Sequence, residues 1–195
     1  MTRRIGLLGG TFDPPHLAHL VVADQVLDQV GLDEVRLVVS NRPWQKEGSR
    51  TITAAAERLA LVEAAVDGLD RVTASAIELE LGGASYTIAT VEELQRREPD
   101  VAWSIVVGAD AAAGLDTWHR ADELRRRHEI VVVNRPGTDG GPPSGWRCRH
   151  VEIPGLALSS TELRAMVAAG RSIRHLTPER VVQLLTTGAL YRQGS

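Results

Sequence analysis

Two periods alternate along this chain, and the alternation restricts its fold more than any other feature. Short apolar runs of strand length, Arg3 to Leu8, Glu34 to Val39, Arg71 to Ser75, Trp103 to Val107 and Glu129 to Val133, are separated by longer stretches with helical spacing. Several runs are nearly continuous in Ile, Val and Leu, as strands covered on both faces should be. Between them, Val22, Val26 and Val30 recur every four residues, and Leu59, Val62, Val66 and Leu69 every three or four. Each set lies on one face of a helix. Thr87 to Arg97 and Arg120 to His128 read as further helices, and a closing pair is expected from Ser160 to Ala169 and from Pro178 to Thr187, with Pro178 in a first turn. Strands that alternate with helices pair in parallel through crossovers. The expectation is an α/β, Rossmann-like doubly wound parallel sheet of about five to six strands, helices on both faces and a C-terminal helical portion over about residues 159–190.

Two irregular stretches interrupt the pattern, Ser40 to Thr53 and Asn134 to Gly145; the second crowds together Pro136, Gly137, Gly140, Gly141, Pro142 and Pro143 and is expected to be a mobile loop. Neither divides the 195 residues into halves that could each bury a core, so one domain over 1–195 is expected. Composition removes several function classes. At 43% hydrophobic and 24% charged the chain is not of the disordered type. Twenty-two Lys and Arg against 25 Asp and Glu give a net charge of -3, so there is no basic surplus for a nucleic-acid partner. No apolar run approaches the roughly 20 residues of a membrane span, and the run after Arg3-Arg4 stops at Gly9-Gly10, too short for a signal peptide. Cys148 is the single cysteine, which precludes an intrachain disulfide or a zinc site built on several cysteines. A cytoplasmic protein is expected; a homo-oligomer is left open.

The chemistry begins in Gly9-Gly10-Thr11-Phe12-Asp13-Pro14-Pro15-His16-Leu17-Ala18-His19, between the first strand and the first helix. Ligands of open parallel sheets bind at the carboxyl ends of strands, and a helix starting there directs backbone N–H groups and partial positive charge at an anion. His16 at the helix start and His19 one turn on face the same spot, so both could hold phosphate oxygens. Two other readings stay open at this level. The segment could be a tight turn with two polar side chains in a first helical turn, or the histidines could ligate zinc with Asp13. Neither a P-loop nor a full dinucleotide-binding glycine fingerprint is present. A second segment, Leu158-Ser159-Ser160-Thr161-Glu162-Leu163-Arg164, holds a capping box in Ser159 and Glu162. Its three hydroxyls and Arg164 also make an anion site at a helix start. Two such sites suit a polyphosphate.

These two runs, GGTFDPPHLAH and LSSTELR, resemble the nucleotidyltransferase superfamily with its H-x-G-H and S-S-T-x-x-R motifs, and specifically the bacterial nicotinate-nucleotide adenylyltransferases. The likeness continues through Asn41-Arg42-Pro43-Trp44-Gln45-Lys46, Ser85-Tyr86-Thr87, Gly108-Ala109-Asp110 with Leu115 and Trp118, and Asn134-Arg135-Pro136-Gly137, covering essentially the whole chain. Ala18 stands where the motif has glycine, and Trp44-Gln45 where Pro-His is commoner.

The resemblance implies transfer of AMP from ATP to nicotinate mononucleotide, giving nicotinate adenine dinucleotide and pyrophosphate, with Mg²⁺ held mainly by phosphate oxygens and water. It implies catalytic roles for His16, His19, Lys46 and Arg164. Gly9, Gly10, Thr11, Phe12, Gly108, Asp110, Ser159, Ser160 and Thr161 would complete the ATP site, with Gly108 admitting close backbone approach and Asp110 accepting from a ribose diol. Thr11, Trp44, Ser85, Tyr86, Thr87, Trp118 and Arg135 would line the mononucleotide site, Trp118 giving a flat face to the pyridine ring. No protein-held metal is expected. From the residues alone Asp110 could instead be a helix N-cap, Trp118 a core residue and Lys46 an exposed loop lysine. The alternatives in function are another small-acceptor adenylyltransferase, acting on nicotinamide mononucleotide or phosphopantetheine, and a non-catalytic ATP-sensing module. A class I aminoacyl-tRNA synthetase shares the histidine motif, but this chain has no room for a tRNA-reading domain.

Overall fold

A computed structural model describes residues 2–42, 52–134, 141–188 and 190–191. The chain order is β1 (Arg3–Gly10), α1 (Leu17–Val30), β2 (Glu34–Val39), α2 (Ala55–Val66), β3 (Val72–Ser75), α3 (Ile77–Leu81), α4 (Thr87–Arg97), β4 (Val101–Gly108), α5 (Ala109–Ala113), α6 (Ala121–Arg127), β5 (Glu129–Asn134), β6 (Cys148–Glu152), α7 (Ser160–Ala168) and α8 (Glu179–Thr187). The strands form one sheet in the order β3-β2-β1-β4-β5-β6, and every pairing is parallel. The chain runs outward from β1 to β3, then restarts at β4 on the other side of β1. Strand order therefore reverses between β1 and β4, and the crevice outside their carboxyl ends is where such a sheet binds ligands. Leu8 pairs with Val106, so the glycines that end these strands, Gly10 and Gly108, lie side by side at that crevice.

Alternation along the strands builds two cores. Ile5, Leu7, Trp103, Ile105, Ile130 and Val132 point to one face, against Ile88, Val91 and Leu94 of α4 and Leu124 of α6. Leu8, Val106, Val131 and Val133 point to the other, against Ala23, Val26, Leu27 and Val30 of α1 and Val62 and Val66 of α2. Period-two side chains covered by helices on both faces make the doubly wound arrangement that the sequence pattern called for. A third cluster joins Leu61 and Ala65 of α2 to Leu163 of α7 and Val181, Val182 and Leu185 of α8. It seats the C-terminal helices beside the carboxyl end of the sheet.

Three details differ from the expected pattern. A sixth strand, β6, follows the glycine- and proline-rich stretch; its residues are mostly exposed and only Val151 is fully covered, as suits an edge. The stripe of α2 ends at Val66, and Leu69 lies beyond it, 41% exposed. Pro178 is the N-cap of α8 and not within its first turn. Of the stretch expected to be mobile, 135–140 lies outside the described residues. No helix among the described residues is long and apolar enough to cross a membrane.

Candidate active site

The loop from β1 to α1 folds back on itself. Phe12 takes a left-handed backbone, φ 50°, and its buried ring covers Gly10. A Cβ at residue 10 would lie 2.7 Å from the ring, so only glycine fits there. Left-handed backbone is costly for a bulky residue, and the burial of Phe12 holds it in place. The Asp13-Pro14 peptide is cis, and His16 is the N-cap of α1. The His16 N–H donates to His19 Nδ1 at 3.1 Å, and the His19 N–H donates to the His16 carbonyl at 2.9 Å. The two imidazoles stack with centroids 3.8 Å apart, and the Phe12 ring meets His19 edge-on at 4.9 Å. An acceptor at Nδ1 fixes neutral His19 as the tautomer with its proton on Nε2. It is therefore a donor without being charged. Ala18, in place of the motif glycine, is buried under this turn.

The second motif meets the first. Ser159 caps α7 as expected, accepting from the Glu162 N–H at 3.2 Å, but the Glu162 carboxylate accepts from the Ser159 hydroxyl at 2.8 Å where a capping box would have it accept from the Ser159 N–H, so only the serine half of the expected box is formed. The Ser160 hydroxyl donates to the Pro14 carbonyl at 2.8 Å. Arg164 donates through Nη1 to the Asp13 carbonyl at 2.6 Å and through Nη2 to the Thr161 hydroxyl at 3.1 Å. Histidines and hydroxyl–arginine cluster thus belong to one site, and Ser160 and Arg164 also hold the histidine loop.

Across the crevice, Gly108 is the N-cap of α5. A Cβ there would meet nothing within 4 Å, which leaves the backbone open to a ligand. Asp110 is exposed in the first turn of α5 and is not its cap. Trp118 is half-buried against the first core and lines a cavity of about 480 Å³ with Arg120, Arg125 and Arg126. It is a core residue on one side only. Tyr86 is the N-cap of α4, and its ring stacks on His119 at 4.4 Å. This stack brings Ser85, Tyr86 and Thr87 next to the Trp118 turn; His119 carries no motif signal and was not among the expected residues. Trp44, Lys46 and Arg135 lie outside the described residues.

The floor of the site was also invisible to motif reading. Arg58 in α2, 1% exposed, donates to the carbonyls of Thr53 (2.8 Å), Thr11 (2.8 Å), Ser40 (2.7 Å) and Asn41 (3.3 Å). Nearby, the Asn41 amide donates to the Gly83 carbonyl at 2.9 Å, and the Ser85 N–H donates to the Arg42 carbonyl at 3.1 Å. The end of β2 is thereby stitched to the Ser85 segment. Beneath it, Glu78 accepts from Thr90 at 2.9 Å. Burial pushes the Glu78 carboxyl above its ordinary value of 4.5, against the pull of Ser85, Thr90, the Asn41 backbone and Arg58. An acid that holds its proton more tightly in the fold than in the unfolded chain costs stability as pH rises from the unfolded value through the folded one. Glu78→Gln should remove that slope. Its stability relative to wild type should improve as pH rises above the ordinary carboxyl value of 4.5, read by denaturant titrations; a difference that does not change with pH would remove the buried carboxyl as its source.

A family model described as "Cytidylyltransferase-like" matches residues 7–166. A protein of Exiguobacterium sibiricum named "Probable nicotinate-nucleotide adenylyltransferase" is 45% identical over 188 residues, 96% of this chain and 98% of that protein. This chain belongs to the nicotinate-nucleotide adenylyltransferase family. A Salinibacter ruber protein of the same name is 40% identical over 96% of this chain and 97% of its own length. The fold agrees too: a Plasmodium falciparum nicotinic acid mononucleotide adenylyltransferase, solved complexed with NaAD, superposes with a TM-score of 0.78 over 97% of each chain at 16% identity. The expected α/β class and the family resemblance are both borne out.

Proposed function

We propose that the site transfers AMP from ATP to nicotinate mononucleotide, releasing pyrophosphate. The observation that carries this reading is the joining of the two anion-binding motifs: α1 and α7 start side by side at the β1–β4 crevice, with His16, His19, Ser160 and Arg164 tied together there. The mononucleotide phosphate is already ionised at neutral pH, so it attacks the α-phosphorus in line with no general base. One O–P bond forms as the bond to pyrophosphate breaks and pyrophosphate leaves with the electron pair. The residues supply alignment and donors for the charge that builds on the phosphate oxygens.

In this reading His16 and His19 meet the ATP phosphates, with His19 nearer the transferring one. Ser159, Ser160, Thr161 and Arg164 face the outer phosphates together with Lys46, Gly9, Gly10 and Phe12 line the approach, and Gly108 and Asp110 take the ribose. Thr11, Trp44, Ser85, Tyr86, Thr87, Trp118 and Arg135 form the acceptor side. The donors gathered here are imidazoles, hydroxyls and a guanidinium, which suit anions and not a hard cation. Mg²⁺ is therefore expected to travel with the triphosphate, held by phosphate oxygens and water. A ring carboxylate needs donors, such as the Ser85 hydroxyl and the Tyr86 and Thr87 N–H groups of the Ser85 to Thr87 turn, whereas an amide needs donor and acceptor together.

The test is dinucleotide and pyrophosphate formation from ATP and Mg²⁺ with nicotinate mononucleotide or nicotinamide mononucleotide. Turnover with a higher kcat/KM for the acid is expected. A preference for the amide would overturn the acceptor assignment, and ATP binding with no product from either acceptor would favour an ATP sensor.

A further inference from the structure

The segment before His16 has an unusual deficit. Pro14 and Pro15 have no backbone N–H, so this stretch cannot secure itself by ordinary turn or strand hydrogen bonds, and it presents carbonyls alone. Those carbonyls are taken one after another by side chains from the C-terminal portion. Asp13 O accepts from Arg164 at 2.6 Å, Pro14 O from Ser160 at 2.8 Å, and Pro15 O from the Thr177 hydroxyl at 2.8 Å. Two residues further on, the Leu17 N–H, at the first position of α1, donates to the Leu176 carbonyl at 3.0 Å. The Asp13 carboxylate, fully buried, accepts from the Tyr191 hydroxyl at 2.6 Å. That phenol is held protonated: burial, and then the Asp13 carboxylate, push it well above its ordinary value.

Ser160 and Arg164 belong to the proposed phosphate site, but Thr177 and Tyr191 do not. Thr177 is 2% exposed and its hydroxyl is turned to Pro15. Resting on the proposed adenylyl transfer, we propose that Thr177, with Tyr191, is a positioning residue for the reaction: the C-terminal portion grips the Asp13–Pro15 carbonyls and so sets where His16 begins α1. The consequence reaches the reacting groups by two steps. The Pro15 carbonyl precedes the His16 N–H in the same peptide plane, and that N–H donates to His19 Nδ1. Turning that plane disturbs the bond that fixes the His19 tautomer and the stack of the two rings.

The experiment pairs Thr177→Val, nearly the same shape without the hydroxyl, with Thr177→Ser and with Tyr191→Phe. On folded protein, Thr177→Val should lower kcat roughly 10- to 100-fold with KM for both substrates changed much less, since misplacement by about 1 Å can cost on the order of 100-fold. Thr177→Ser should restore it. Nitrogen-15 shifts of the His19 ring should show Nε2 protonated and Nδ1 bare in the wild type and in Thr177→Ser, and a mixture of tautomers in Thr177→Val. Wild-type kcat and tautomer in Thr177→Val, with only a lower Tm, would overturn the proposal, as would lost activity with an unchanged His19 tautomer. Should Thr177→Val fail to fold, Tyr191→Phe decides on the same two readouts. A wild-type enzyme that turns over neither mononucleotide would remove the functional reading, while the ring spectra would still judge the grip.

Discussion

His19→Ala should cut kcat roughly 100- to 1000-fold while leaving the KM for ATP within a few-fold, the loss that follows removal of one donor from a preorganised anion site. The asymmetry comes from where the charge is. In the proposed site, ground-state ATP already carries its negative charge, which the starts of α1 and α7, the hydroxyls and the arginine would share. The transferring phosphorus gains charge on its oxygens only during the reaction, so a donor aimed there is worth most in the transition state. His19 is prepared for this: its Nδ1 is occupied by the His16 N–H, its ring is stacked on His16, and Phe12 closes its edge. The substitution also removes the acceptor of a helix cap, which costs about 1 kcal/mol of stability. His19→Gln separates the two effects, because glutamine at this position can still accept from the cap residue. Gln should recover the Tm of the wild type and only part of its kcat. Steady-state kinetics with a parallel melting curve decides it; a kcat within about threefold of wild type in the alanine variant would take His19 out of the transition state.

What could be read beforehand follows the kind of signal each residue carries. The strands and the helical stripes announce themselves because burial on two faces imposes a period. The histidine loop and the Ser159 to Arg164 segment are legible because glycine, proline and hydroxyl residues cluster where a strand meets a helix or a helix begins. β6 gives almost no apolar signal, having only Val151 fully covered at the sheet edge. Arg58, Thr177, Tyr191 and His119 are silent for another reason: their partners are mostly carbonyls and rings distant in sequence, and a carbonyl leaves no mark on residue type. One trace existed for Arg58. The buried face of α2 runs Arg58, Leu61, Val62, Ala65, Val66, and an arginine in register with an apolar stripe has to find acceptors inside the protein.

Those acceptors make Arg58 the second large effect. Arg58→Met should destabilise the protein by about 3–5 kcal/mol, the range for breaking a buried charged network by removing one partner, out of a total stability of about 5–15 kcal/mol. Methionine fills the space but offers no donor, so four carbonyls, of Thr11, Ser40, Asn41 and Thr53, lose the guanidinium that served them all. A buried orphan costs about 1–3 kcal/mol, which falls most heavily on the buried Thr11 bond and less on the part-buried bonds to Ser40, Asn41 and Thr53, where water recovers more of it. Arg58→Lys should recover only a minority of the loss, since an ammonium is a single point on a flexible stem and cannot span acceptors on three separate segments. Activity should follow the geometry as well as the stability. Thr11 lies in the histidine loop, Ser40 and Asn41 at the carboxyl end of β2, and Asn41 is bonded to the Ser85 turn through Gly83, so loosening the guanidinium moves both sides of the crevice. Arg58→Lys, measured well below its own Tm, should therefore have lower kcat/KM for ATP and for the mononucleotide alike. Denaturant midpoints with unchanged m-values, set beside those two constants, test the argument. A methionine variant within about 1 kcal/mol of wild type would mean that the four carbonyls are satisfied by other partners and that Arg58 does not hold the floor of the site.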